Sequence, residues 1–192
     1  MEDPLVADAG MMRLLAHPLR MRIVGSLRVD GPATSAILAR RLETDTGQTS
    51  HHLRLLARHG LVEEAPEHGK GTHGRERWWK AVHDSTLWSD LGVGGAEAQA
   101  AVQRTARAVW DRTIDAFFAQ VAAQKWSEDW QRAAASSDYV LRTTPERLES
   151  LNAEIERLIR EADIGDSTAA DAASDAETVI VVLHSYPHRP PG

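Results

Sequence analysis

Between Thr46 and Arg58 the chain sets small, hydrogen-bonding and basic side chains at a spacing that gathers them on one side of a helix. At an advance of about 100° per residue, Ser50, His51, Arg54 and Arg58 fall within about 60° of Gly47, and Thr49, Leu53 and Leu56 fall opposite. One side can pack into a core while the other meets a partner. Thr46 and Gly47 make the start of such a helix slim enough to enter a DNA major groove. Gln48, Ser50, His51 and Arg54 behind them carry the hydrogen-bonding groups that base edges and phosphates take. A solvated amphipathic surface would show the same stripe, so the neighbouring sequence must decide. Downstream, Lys70, Arg75 and Arg77 stand in and beside a glycine-rich turn, where cations can meet phosphates.

Other chemistries fare less well. Gly69-Lys70-Gly71-Thr72-His73-Gly74 spells the dinucleotide fingerprint G-x-G-x-x-G, but that site needs a helix after the glycines, and 75–81 reads as a strand. His51 and His52 point about 100° apart on a helix and have no spaced carboxylate partner. The chain has no cysteine, which removes thiolate metal sites, disulfides and cysteine nucleophiles. No metal and no cofactor is expected. No serine, histidine and aspartate stand in a hydrolytic order, and Glu154 and Glu156 lie about 200° apart on a helix, so no catalytic residue is assigned. Of ten aromatic residues six are tryptophan, and packing accounts for most of them. The sharper expectation is an apolar effector pocket lined by Trp79, Trp88, Trp110 and Phe117, suited to an aromatic small molecule.

The elements that must position these residues follow from periodicity and punctuation. A short helix from Asp8 ends at His17-Pro18, where proline disfavours helical geometry in the residue before it. A second runs to Asp30-Gly31-Pro32, and a third spans 34–42. Asp45 three residues before Gln48 gives a capping signature for the fourth, and Gly60 stops it. Residues 61–65 and 76–81 then read as a hairpin. Three glycines within 91–95 predict a joint, followed by a long helix over 96–125. Its small-residue face, Ala98, Val102, Ala106, Val109 and Thr113, is expected to pack on the same helix of a partner. Residues 139–142 read as a short strand, 144–162 as a helix with Leu148, Leu151, Ile155, Leu158 and Ile159 on its apolar side, and 178–183 as a well-buried strand.

Several of these stretches resemble the ArsR family of winged helix-turn-helix repressors. The likeness rests on Leu14-Leu15-Ala16-His17-Pro18-Leu19-Arg20-Met21-Arg22-Ile23, then Thr49-Ser50-His51-His52-Leu53-Arg54-Leu55-Leu56 and Gly60-Leu61-Val62, in that order. It implies a homodimer whose fourth helices enter successive major grooves of double-stranded DNA. Ser50, His51 and Arg54 fall on DNA-facing positions, Gln48 at their edge, and 69–74 at the wing tip. The sequence departs from the pattern at Glu43 and Gly47, where the family more often has glycine and serine or threonine. Metal-sensing relatives use early cysteines or His and carboxylate ligands on a helix after the wing, and this chain has no histidine from Asp84 to Leu183.

At 192 residues the chain is read as one ordinary domain with an appendage. Its net charge of −6 hides a polarity: 12 Lys and Arg against 7 Asp and Glu over 11–82, but 10 against 18 from His83 onward. A basic front suits a polyanion. The fold class expected is mainly α with small β elements, an N-terminal winged helix-turn-helix plus a C-terminal α/β dimerisation or effector region. The domains are an acidic tail over 1–7, the DNA-binding domain over 8–82 and a glycine-rich hinge over 83–95. The dimerisation or effector region follows over 96–184, with a mobile acidic linker at 163–177, and the tail is 185–192. The function expected is that of a homodimeric repressor at an inverted-repeat operator, released by an apolar small molecule. Rival readings are a small-molecule-binding protein with vestigial DNA contact and an effector-independent DNA-organising protein. No 20-residue apolar run or signal core appears, so no membrane partner and a cytoplasmic location are expected.

Overall fold

The computed structural model describes residues 5–69, 76–88, 95–163 and 175–189. The chain divides into two compact units, 2–133 and 134–192.

In the first unit each of the first four helices begins where a side chain can satisfy an amide that has no partner inside the helix. Asp8 opens α1 (Ala9–Leu15) by accepting the Met11 N–H at 2.7 Å. His17 opens α2 (Pro18–Val29): its Nδ1 accepts the Leu19 N–H at 3.2 Å, and Pro18 fills a first-turn position that needs no amide hydrogen. Strand β1 is Leu5–Val6, and β2 (Ala33–Thr34) leads into α3 (Ser35–Arg41), which the Thr34 hydroxyl caps. Then come α4 (Thr46–Arg58), β3 (Val62–Glu64), a 3-10 turn over Pro66–Gly69, β4 (Trp78–Ala81) and β5 (Thr86–Leu87). Gly60, at φ 69°, takes the left-handed turn that ends α4.

Strand β4 is the centre of a three-stranded antiparallel sheet ordered β2-β4-β3, with Ala33 opposite Trp79 and Glu63 opposite Lys80. A helix pair followed by a hairpin stitched to β2 is a winged helix-turn-helix, so the expected fold class, mainly α with small β elements, is borne out. The core lies between α1 to α4 and the sheet. Met12, Ile23, Leu38, Leu53 and Leu56 are fully buried there, and Trp79 is nearly so.

Two stretches read as tail and hinge take part in this unit. Leu5 and Val6 pair in parallel with Thr86 and Leu87, and Ala7 is fully buried. Arg28 holds the other side: its Nε donates to His83 O at 2.7 Å and its Nη2 to Thr86 Oγ1 at 2.8 Å. Burial pulls the Arg28 pKa down to about 10, against the opposing pull of Asp84.

Helix α5 (Gly95–Ala122) extends the unit past the expected boundary, and α6 (Glu128–Ala133) closes it. Ala98, Val102 and Ala106 do not await a partner, because they are buried within the unit where α5 packs on α1 and α2. The Thr105 hydroxyl adds a hydrogen bond to Ala16 O at 2.8 Å. The small-residue face of the long helix therefore serves the chain's own core over its first three turns. Beyond it Val109 and Thr113 are half-buried and Ile114 and Phe118 exposed.

The second unit contains α7 (Pro145–Ala162), where the sequence predicts a helix over 144–162, and the Thr144 hydroxyl caps it on the Arg147 N–H. Residues 139–142 and 178–183 lie outside any helix and form no strand pair among the described residues. The expected burial of 178–183 is not found: Val179 to Leu183 are all exposed. Among the described residues, two short segments and one helix cannot supply a strand pair and two covering layers by themselves. Most of the predicted glycine joint and of the acidic linker lies outside the described residues. Among those described, no helix is long and apolar enough to cross a membrane.

Candidate nucleic-acid interface

Helix α4 is fixed by its cap and its inner face. The Asp45 carboxylate accepts the Gln48 N–H at 2.8 Å and the Gln48 side-chain amide at 2.6 Å, and the first of these bonds holds its pKa below the ordinary value. A Cβ on Gly47 would stand 3.1 Å from Asp45 Oδ1, so glycine leaves this cap undisturbed. One turn on, the buried Thr49 hydroxyl lies 2.9 Å from Ser35 O, a bond that ties the start of α4 to the start of α3. Leu53 and Leu56 complete the inner face with no exposure.

That anchoring leaves the opposite face outward. Thr46, Gly47, Gln48, His51, Arg54 and Arg58 are exposed and Ser50 is half-buried, in one stripe along the helix. Arg54 folds back along its own turn, its Nε donating to Ser50 O at 3.0 Å. Such an exposed bond is weak enough to exchange for a base edge. The chain enters α4 through Glu43 at φ 52°, a left-handed conformation that glycine would adopt without strain.

The wing is described only at its root. Arg77 is exposed and pairs with Glu64 at 3.3 Å, and Lys80 pairs with Glu63 at 3.2 Å. Exposed pairs of this kind contribute little and can give way to phosphate. Lys70 and Arg75 lie outside the described residues.

Behind the reading face sits a cluster that the sequence did not single out. The His17 and His52 rings lie 4.6 Å apart and the His51 and His52 rings 5.3 Å apart, linking the start of α2 to α4. Burial lowers the His52 pKa most, with His17, Arg20 and His51 adding repulsion. Burial and then Arg20 lower that of His17. The adjacent His17-Pro18-Leu19-Arg20 run and the His51-His52 pair were visible, but nothing in their spacing says that α2 and α4 bring them together.

The four aromatic residues expected to line one effector pocket are not gathered. Trp79 is a core side chain in β4. Trp88 is half-buried against the same core, and its carbonyl accepts from Gln99 at 2.8 Å. Phe117 lies 18 residues farther along α5, about 27 Å at 1.5 Å per residue, with Trp110 between. Phe117 instead neighbours Phe118 and Trp126, and Trp126 neighbours Trp130.

Residues 15–65, from the end of α1 through the start of the wing, match the helix-turn-helix domain family. That match supports a DNA-binding transcriptional regulator. No curated protein matches the chain. Among solved structures the chain is similar to a mutant of ZitR from Lactococcus lactis in apo form, at 14% identity and TM-score 0.33 over 77% of this chain and 84% of that one. A mutant of MarR from E. coli gives 15% and 0.32 over 78% and 86%. A MarR family regulator from Neisseria meningitidis gives 14% and 0.30 over 79% and 80%.

Proposed function

We propose that this chain is a sequence-specific, cytoplasmic transcriptional regulator that binds an inverted-repeat operator as a homodimer and represses. The observation that carries the reading is the two-sidedness of α4. Thr49, Leu53 and Leu56 lock one face into the core, and the opposite face presents Gln48, Ser50, His51, Arg54 and Arg58 in one stripe. In this reading Arg54, with Ser50 and Gln48, reaches base edges, and Arg58, His51 and the wing cations Lys70, Arg75 and Arg77 meet phosphates. Two-fold symmetry then sets two half-sites about one helical turn apart. An apolar effector, in the same reading, meets the Phe117, Trp126 and Trp130 group rather than Trp79, which the core already occupies.

Selection of bound fragments from genomic DNA, followed by footprinting, tests the assignment. A discrete protected site containing two inverted half-sites is expected. Protection that spreads along any sequence would reject specific regulation in favour of a DNA-organising role.

A further inference from the structure

The second unit has the sequence of a packed α/β layer and none of its burial. Among its described residues not one is buried. Tyr139, Val140 and Leu141 in one segment, Val179 to Leu183 in the other, and Leu151 and Leu158 on α7 are all exposed. Neither segment has a backbone partner among the described residues, and the segment carrying Ser185 is tied to α7 by a hydrogen bond from its hydroxyl to Asn152 Oδ1 at 3.0 Å.

We propose that residues 139–142 and 178–183 are strands of a sheet completed by a second copy of this chain. The inference rests on the homodimeric reading above and says where the two copies join.

Three physical arguments carry it. Along 178–183, Val179, Val181 and Leu183 face one way and Ile180 and Val182 the other, so both faces are apolar. A strand apolar on both faces needs two covers, and α7 offers one apolar side. The quantity also fits: the exposed apolar side chains of this unit amount to on the order of 1,000 Å² per copy, against the ~800 Å² per partner of a stable interface. The kind of surface points to the occupant. The exposed stretches Tyr139 to Leu141 and Val179 to Leu183 are aliphatic and aromatic without a charged residue among them, the composition of a permanent self-interface.

The full chain tests this by sedimentation together with amide hydrogen exchange. The expected result is a dimer in which amides of 139–142 and 178–183 are protected and lose protection on dilution to monomer. Val181→Pro and Val182→Pro remove N–H groups from opposite edges of one strand, and at least one of them should abolish the dimer at a concentration where the unaltered chain is dimeric. Val181→Thr should keep it. A dimer whose two segments exchange at unprotected rates, or which survives both proline substitutions, overturns the sheet but leaves the homodimeric reading standing. A chain that stays monomeric overturns both, and protection that persists in the monomer overturns the intersubunit sheet by making the cover intramolecular.

Discussion

Glu43 holds φ 52° in the turn that aims α4, a conformation costing a side chain roughly 1–2 kcal/mol and glycine much less. Glu43→Gly should therefore raise the unfolding free energy by about 1 kcal/mol, after glycine's own entropic cost. A melting temperature that stays level or falls would mean that Glu43 contributes something other than strain. His17 and His52 make a second prediction, about pH. Their folded-state pKa values lie below the ordinary imidazole value of 6.5, so between the two values the unfolded chain binds more protons. The stability they contribute is complete above pH 6.5 and is lost as pH falls toward the lowered values. Protonation of His17 also removes the Nδ1 lone pair that caps α2. Denaturant unfolding across that window should show the loss, and His52→Gln should flatten it; an unchanged slope in this variant would remove His52 from the effect. At this scale the sequence was informative where a side chain acts on its near neighbours. Asp45 and Gln48 stand three residues apart and cap as their spacing predicted. The His17 and His52 pair lies 35 positions apart in sequence, and only the packing of α2 on α4 creates it.

Helices are legible because their apolar spacing repeats over several turns, and the Asp45 cap is legible as a residue type at its spacing from Gln48. Strands of two residues carry no periodicity. That is why β1, β2 and β5 could not be read, although β1 and β5 turn part of the expected tail and hinge into a sheet. Apolar spacing predicts helix α5, but the small-residue face expected to meet a partner copy packs on α1 and α2 of the same chain. A small-residue stripe states that something approaches closely but not whether it is the same chain. Ala106 lies in that packed contact and is 1% exposed. Ala106→Arg should lower the stability of the first unit by about 3 kcal/mol or more, because a charge and a long side chain must enter a filled, buried contact. Denaturation of this variant in comparison with the unaltered chain checks it. A variant that unfolds normally but sediments as a monomer would restore α5 to the subunit interface.

For the molecule as a whole, composition pointed to the division of labour better than to its boundary. The excess of cations over 11–82 coincides with the winged helix-turn-helix, and the anionic excess begins after it. The boundary moved from the glycines near 91–95 to Ala133, since α5 contributes Ala98 and Val102 to the first unit's core. The second unit's strands were read from β-branched density, which reports a wish for burial and not the element that supplies it. The regulatory reading stands on the outward face of α4 reading sequence. Its most direct test is a titration of the unaltered chain and Arg54→Ala against the selected operator and a scrambled duplex, at several salt concentrations. Arg54→Ala should lose about 1–3 kcal/mol on the operator, relax one position of each half-site, and bind the scrambled duplex nearly as before. Equal weakening on both duplexes would reduce Arg54 to a phosphate contact, and unchanged affinity on both would contradict the assignment of α4 as the reading helix.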